Sequence, residues 1–88
     1  MLTIEGQTTA LQVGDTIWFD LKSQTISFYR QSHRLIFSSR DDDRATWTCI
    51  SIQAAHEHAL VIAELFNLTV NHQRRGEDFI IFVLIKRS

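Results

Sequence analysis

Proline is absent from the 88 residues, where average usage of about 5% would supply roughly four. Every chain reversal therefore falls to Gly, Asn, Asp, Ser or Gln. The three glycines, Gly6, Gly14 and Gly76, are too scattered to form a phosphate-cradling loop. The single cysteine, Cys49, excludes an internal disulfide, and no Cys/His set with zinc spacing accompanies it. A small chain without such staples must hold itself together by packing. Charge of one sign is also lacking, since nine Lys plus Arg stand against ten Asp plus Glu for a net charge of -1. Proteins that live on nucleic acid usually carry a basic excess. The longest apolar stretch, Phe79 to Ile85, is far short of a membrane span. Residues Met1 to Gly6 show no basic region leading into an apolar run, so the expectation is a soluble, cytoplasmic protein with no membrane partner.

What is present is ordinary for a folded chain: 44% hydrophobic and 22% charged residues predict a single domain over 1–88. A domain of this size buries only about 60–65% of the surface its unfolded chain exposes. Apolar surface that one small core cannot hide invites a partner.

Alternation of period two marks a run of half-buried strands. In Thr16 to Leu21 the residues Ile17, Phe19 and Leu21 point one way, and after Lys22-Ser23-Gln24 the segment Thr25 to Tyr29 places Ile26 and Phe28 together. Leu35 to Ser38 makes a third strand of this meander. Thr46 to Ile52, rich in β-branched and aromatic residues, makes another that runs straight into a helix over Gln53 to about Phe66. Leu2 to Glu5 is a candidate edge strand. His72 to Asp78 reads as a polar turn before the last strand, Phe79 to Ile85, whose seven consecutive apolar residues predict that both of its faces are covered.

At about 100° per residue, Ala55, Ala59, Ile62 and Phe66 cluster on one helix stripe, and neighbouring apolar residues widen the arc to about 200°. That is more than one sheet face needs. His58 falls inside the arc and His56 outside it, and Leu60 intrudes on the polar side. Ser51 or Thr48 suits the start and Asn67 the stop. The excess of apolar surface on both helix and last strand predicts a homodimer.

Chemistry-bearing constellations are few. His56 and His58 lie about 200° apart on the helix and cannot share an ion. Asp41-Asp42-Asp43 lacks the spacing and closing Glu of a calcium loop, and reads as a solvated hairpin tip between Arg40 and Arg44. Cys49 has no His or Asp placed to activate it and reads as a small buried hydrophobe. No catalytic, cofactor or metal site is therefore expected. If Thr46, Thr48, Ile50 and Ile52 face the helix, alternation sends Trp47, Cys49 and Ser51 to the opposite face, together with Trp18 and Tyr29. These three aromatics make the first candidate interaction surface, and Leu60, Val61 and Leu65 on the helix make the second. With Arg30, Arg34 and Arg44 at strand ends, the same aromatic face would serve as a single-stranded nucleic-acid platform.

The passage from strand to helix through Cys49-Ile50-Ser51-Ile52-Gln53-Ala54-Ala55 resembles, over roughly residues 16 to 66, the strand-then-helix unit of the single-stranded DNA-binding coactivators, which dimerise through strands and helices. The resemblance is one of topology. The apolar run Phe79 to Ile85 and the balanced charge depart from that pattern, and no site residue is carried over from it. The sequence thus predicts an α+β fold: an antiparallel meander of about five or six strands with one helix after the penultimate strand, packed on one face. Its expected function is non-enzymatic protein–protein interaction as a small regulatory or adaptor homodimer. The alternative is a single-stranded nucleic-acid-binding module.

Overall fold

A computed structural model describes residues 2–37 and 47–87, apart from the side chains of Phe37, Trp47, His72 and Gln73. The elements in chain order are β1 (Leu2–Ile4), β2 (Gln7–Thr9), β3 (Thr16–Asp20), β4 (Thr25–Arg30), β5 (His33–Phe37), β6 (Trp47–Thr48), α1 (Ile52–Leu65), β7 (Leu68–Arg75) and β8 (Phe79–Lys86). The strands form one antiparallel sheet in the order β2-β1-β5-β4-β3-β8-β7, with β6 paired to β4. The sheet curls into a half-barrel.

The fold is α+β with a single described helix, but the sheet exceeds the expected five or six strands. Two sources account for the excess. Leu2–Ile4 and Gln7–Thr9 close a two-residue hairpin in which Glu5 and Gly6 both take positive φ, 50° and 82°, as a tight hairpin of right-handed twist requires. Leu68–Arg75 is a full eight-residue strand along β8, where the polar sequence from His72 reads as a turn. It is an edge strand, and the register shift between Val70 and Gln73 is a bulge of the kind edges carry. The helix is therefore followed by two strands, not one.

The meander β3-β4-β5 lies as expected, with Asp20 opposite Thr25 and Arg30 opposite His33 across the turns. β5 pairs with β4 only through His33 to Leu35, then crosses to β1, where Leu35 to Phe37 face Ile4 to Leu2. That divergence leaves Thr25 and Ile26 of β4 available to β6. It is one of the bends by which the sheet curls.

One face of the sheet is the core. Ile17 and Phe19 of β3, Ile26 and Phe28 of β4, and Ile80, Phe82 and Leu84 of β8 are buried there, in register across the strands: Phe28–Ile17–Phe82 and Ile26–Phe19–Ile80. Helix α1 closes this face with the small residues Ala55, Ala59 and Ala63 and with Ile62. Alanines let the helix approach the sheet closely, and the large side chains come from the strands. Truncating a fully buried phenylalanine such as Phe82 to Ala would cost about 3–5 kcal/mol.

The helix ends follow local rules. Ser51, extended at φ -155°, accepts the Ala54 N–H on its hydroxyl at 3.1 Å, satisfying a donor the helix cannot. At the other end Asn67 takes φ 62°, and its N–H donates to the Glu64 carbonyl at 3.1 Å. A left-handed asparagine is a recurrent stop signal.

The strand expected over Thr46 to Ile52 is paired only at Trp47 and Thr48, and its faces are the reverse of the expected ones. Thr48 and Ile50 are exposed, Ile50 at 86%, while Cys49 is buried. Alternation in a segment this short is overridden by its partner: register sets Trp47 opposite the buried Ile26, and Thr48 opposite Thr25. The Cys49 N–H donates to the Gln24 carbonyl at 2.9 Å, which holds the segment against the β3–β4 turn.

Candidate functional site

The second face of β8, β3 and β4 is only partly covered. Phe79, Ile81, Val83 and Ile85, expected to be shielded like their alternate neighbours, are half-buried. A strand that is apolar on both faces here has one face in the core and one towards solvent.

At the centre of this outer face is Trp18. Its ring stacks on Phe79 at a centroid distance of 4.8 Å and an interplanar angle of 30°, and meets Tyr29 edge-on at 5.5 Å and 62°. Its indole N–H donates to the Thr16 hydroxyl at 2.9 Å. The ring is thus fixed on two sides and by its polar atom, and such aromatic pairs contribute about 0.5–1.5 kcal/mol beyond their burial. Gly76 sits against Phe79 so closely that a Cβ there would lie 2.8 Å from the ring. A side chain here would push on the end of the Phe79 ring.

Two shallow clefts flank the Trp18–Phe79 ridge. One, of about 400 Å³, is lined by Trp18, Arg74, Arg75, Gly76, Phe79 and Ile81. The other, of about 270 Å³, lies towards Asp20, Ser27 and Tyr29. The ridge therefore separates a basic side from an acidic one. The Asp20 carboxylate accepts the backbone N–H groups of Lys22 at 2.8 Å and Ser23 at 3.1 Å. Those bonds, Ser23 first and Lys22 second, pull its pKa below the usual carboxylate value, so Asp20 keeps its negative charge into mild acid.

The residues singled out from the sequence divide sharply. Trp18 and Tyr29 come together as expected. The backbone of Trp47 pairs with Ile26, and its side chain lies outside the described residues. Val61 and Leu65 stand exposed on the helix at 59% and 67%, one turn apart, with Leu60 half-buried. Arg34 is exposed at the Tyr29 register position. Arg44, with Asp41 to Asp43 and Arg40, lies outside the described residues.

Arg30 is engaged within the chain. Its guanidinium grips the carboxylate of Asp15, which is 2% exposed, through Nε to Oδ1 at 2.9 Å and Nη2 to Oδ2 at 3.0 Å. It also donates to the Thr9 hydroxyl at 3.1 Å and the Ala10 carbonyl at 2.7 Å. Asp15 further accepts the Gln12 N–H at 2.8 Å, and the flanking backbone joins β8 through Gly14 N–H to Leu84 O and Leu84 N–H to Asp15 O, both 2.9 Å. This network ties the loop before β3 to the sheet. The arginines that line the Trp18 cleft are Arg74, at the outer-face register position of Ile81, and Arg75 next to it, both hidden in what reads as a turn.

On the helix, His58 is half-buried, and burial pushes its pKa below the ordinary histidine value. Burial likewise pushes the Cys49 thiol up, away from reactivity. His56 is exposed, with its ring 5.6 Å from that of Phe82. Among the described residues no group of His, Cys, Asp and Glu is placed to hold a metal ion, and no helix is long and apolar enough to cross a membrane. No protein-family model, curated protein or solved structure matches the chain.

Proposed function

We propose that this chain is a non-enzymatic protein–protein interaction module, a small regulatory or adaptor domain that acts through the outer face of β8, β3 and β4. The observation that carries this reading is the half-buried apolar strip of Phe79, Ile81 and Val83 beside the fixed Trp18 ring. Rigid aromatic anchors in an apolar patch with a charged rim are the composition of binding hot spots. The exposed pair Val61 and Leu65 on α1 is a secondary contact in this reading. The lone, buried, protonated thiol suits a reducing compartment, and we place the domain in the cytoplasm.

A single-stranded nucleic-acid platform is the second reading, favoured by Arg74 and Arg75 lining a cleft with Trp18. Two features weigh against it. The Trp18 ring already stacks on Phe79 and so offers less free surface to a base, and Arg30 is spent on Asp15.

The test substitutes Ile81→Lys on the outer face, leaving the core untouched. Protein contacts, whether with a second copy or with a captured cellular protein, are expected to be lost in this variant while thermal stability is retained. Retention of every protein contact would sink the reading. Salt-sensitive binding of a labelled oligonucleotide by the native chain, lost on Arg74→Ala, would put the second reading first.

A further inference from the structure

On the outer face, register lays out two neighbouring rows: Arg74, Ile81, Trp18 and Ser27 in one, and Phe79, Asp20 and Thr25 in the next. Taken as locally flat, with strands about 4.8 Å apart and rows two residues apart, the patch has a simple plan. In that plan Trp18 and Phe79 define a diagonal about 35° from the strand direction, with Arg74 on one side and Asp20 on the other. Both project onto the diagonal at nearly the same point, about 5.5 Å from Trp18, with Arg74 roughly 8 Å and Asp20 roughly 4 Å away from it. The reach of an arginine side chain covers that difference. Such a patch is complementary to itself, because a twofold rotation about the diagonal exchanges its basic and acidic sides.

We propose that the occupant of this face is a second copy of the chain, docked about a twofold axis along the Trp18–Phe79 ridge so that Asp20 of each copy meets the partner's Arg74. The proposal rests on the interaction reading above and specifies its partner. Sheets related in this way cross at about 70°, close to the orthogonal class of sheet packing, in which contact concentrates along one diagonal. The ridge supplies that contact, and Ile81 lies beside it. The contact is isologous and closes at two copies, so it does not propagate into fibres. Charge complementarity favours a copy of this chain over an acidic or basic partner, since either of those would leave one side of the ridge opposed by like charge.

The experiment is light scattering after size exclusion over a hundredfold range of concentration, with charge-reversed variants alone and mixed. The native chain is expected to approach twice its 10.2 kDa mass at high concentration. Asp20→Asn keeps an oxygen for the turn and removes the charge, and it should weaken association about 2- to 30-fold through two rim pairs. Asp20→Lys and Arg74→Glu should each be monomeric alone, because each sets like charges together, and should form a heterodimer when mixed, because both pairs are then restored. A folding defect in either variant would not produce that rescue. A native chain that stays monomeric overturns the proposal, as does a dimer indifferent to these substitutions. If it stays monomeric while Ile81→Lys abolishes capture of another protein, the interaction reading stands and only the identity of the partner is wrong.

Discussion

Arg30 and Asp15, fifteen positions apart in the chain, form a two-point ion pair at 2.9 and 3.0 Å that anchors the loop before β3. The Arg30 proton is held more tightly than usual, first by its hydrogen bond to Asp15 and then by the carboxylate's charge. A planar guanidinium can satisfy Asp15, Thr9 and Ala10 together, which a lysine ammonium cannot.

Removing one member of such a pair leaves the other charge buried. Arg30→Ala is expected to destabilise the fold by about 3–5 kcal/mol, measured as the change in urea midpoint at constant slope. Arg30→Lys should recover only part of that loss. A change below about 1 kcal/mol for Arg30→Ala would show that Asp15 is solvated in place of its partner.

Gly76→Ala tests the stack from its far side. A Cβ 2.8 Å from the Phe79 ring forces that ring to tilt, and the tilt must disturb its contact with Trp18. The expected cost is about 1–3 kcal/mol, accompanied by a change in near-ultraviolet circular dichroism. An unchanged spectrum would mean that the hairpin yields before the ring does.

His58 makes stability depend on pH. Its pKa is lowered on folding, so the unfolded chain binds the proton more readily. Its contribution is complete above the unfolded value of about 6.5 and is lost as pH falls through that value towards the lower folded one. His58→Gln should flatten the difference in unfolding free energy between pH 7.5 and 5.5. An equal pH dependence in the variant would assign the effect to other groups.

Much of the framework is legible in local sequence. Period-two alternation identifies β3 and β4, because each has one face in the core, and apolar runs identify β5 and β8. The helix is legible from its small-residue stripe and its caps, Ser51 and Asn67. β7 is not, because Asn71 to Arg75 of this edge strand are polar, and their strand conformation comes from pairing with β8. The aromatic site was half visible: Trp18 and Tyr29 alternate with core residues, but Phe79 lies in an unbroken apolar run that conceals which side faces out.

The sequence by itself determined that β3, β4 and the helix form and about where they lie, because capping, turn conformation and hydrophobic period act over a few neighbouring residues. Tertiary structure alone decided that the backbone of Trp47 pairs with Ile26, that Arg30 serves Asp15, and that Arg74 and Arg75 line the Trp18 cleft. Each of these depends on which distant strand lies alongside, and register between distant segments is set by the packing of the whole sheet and not by any local pattern.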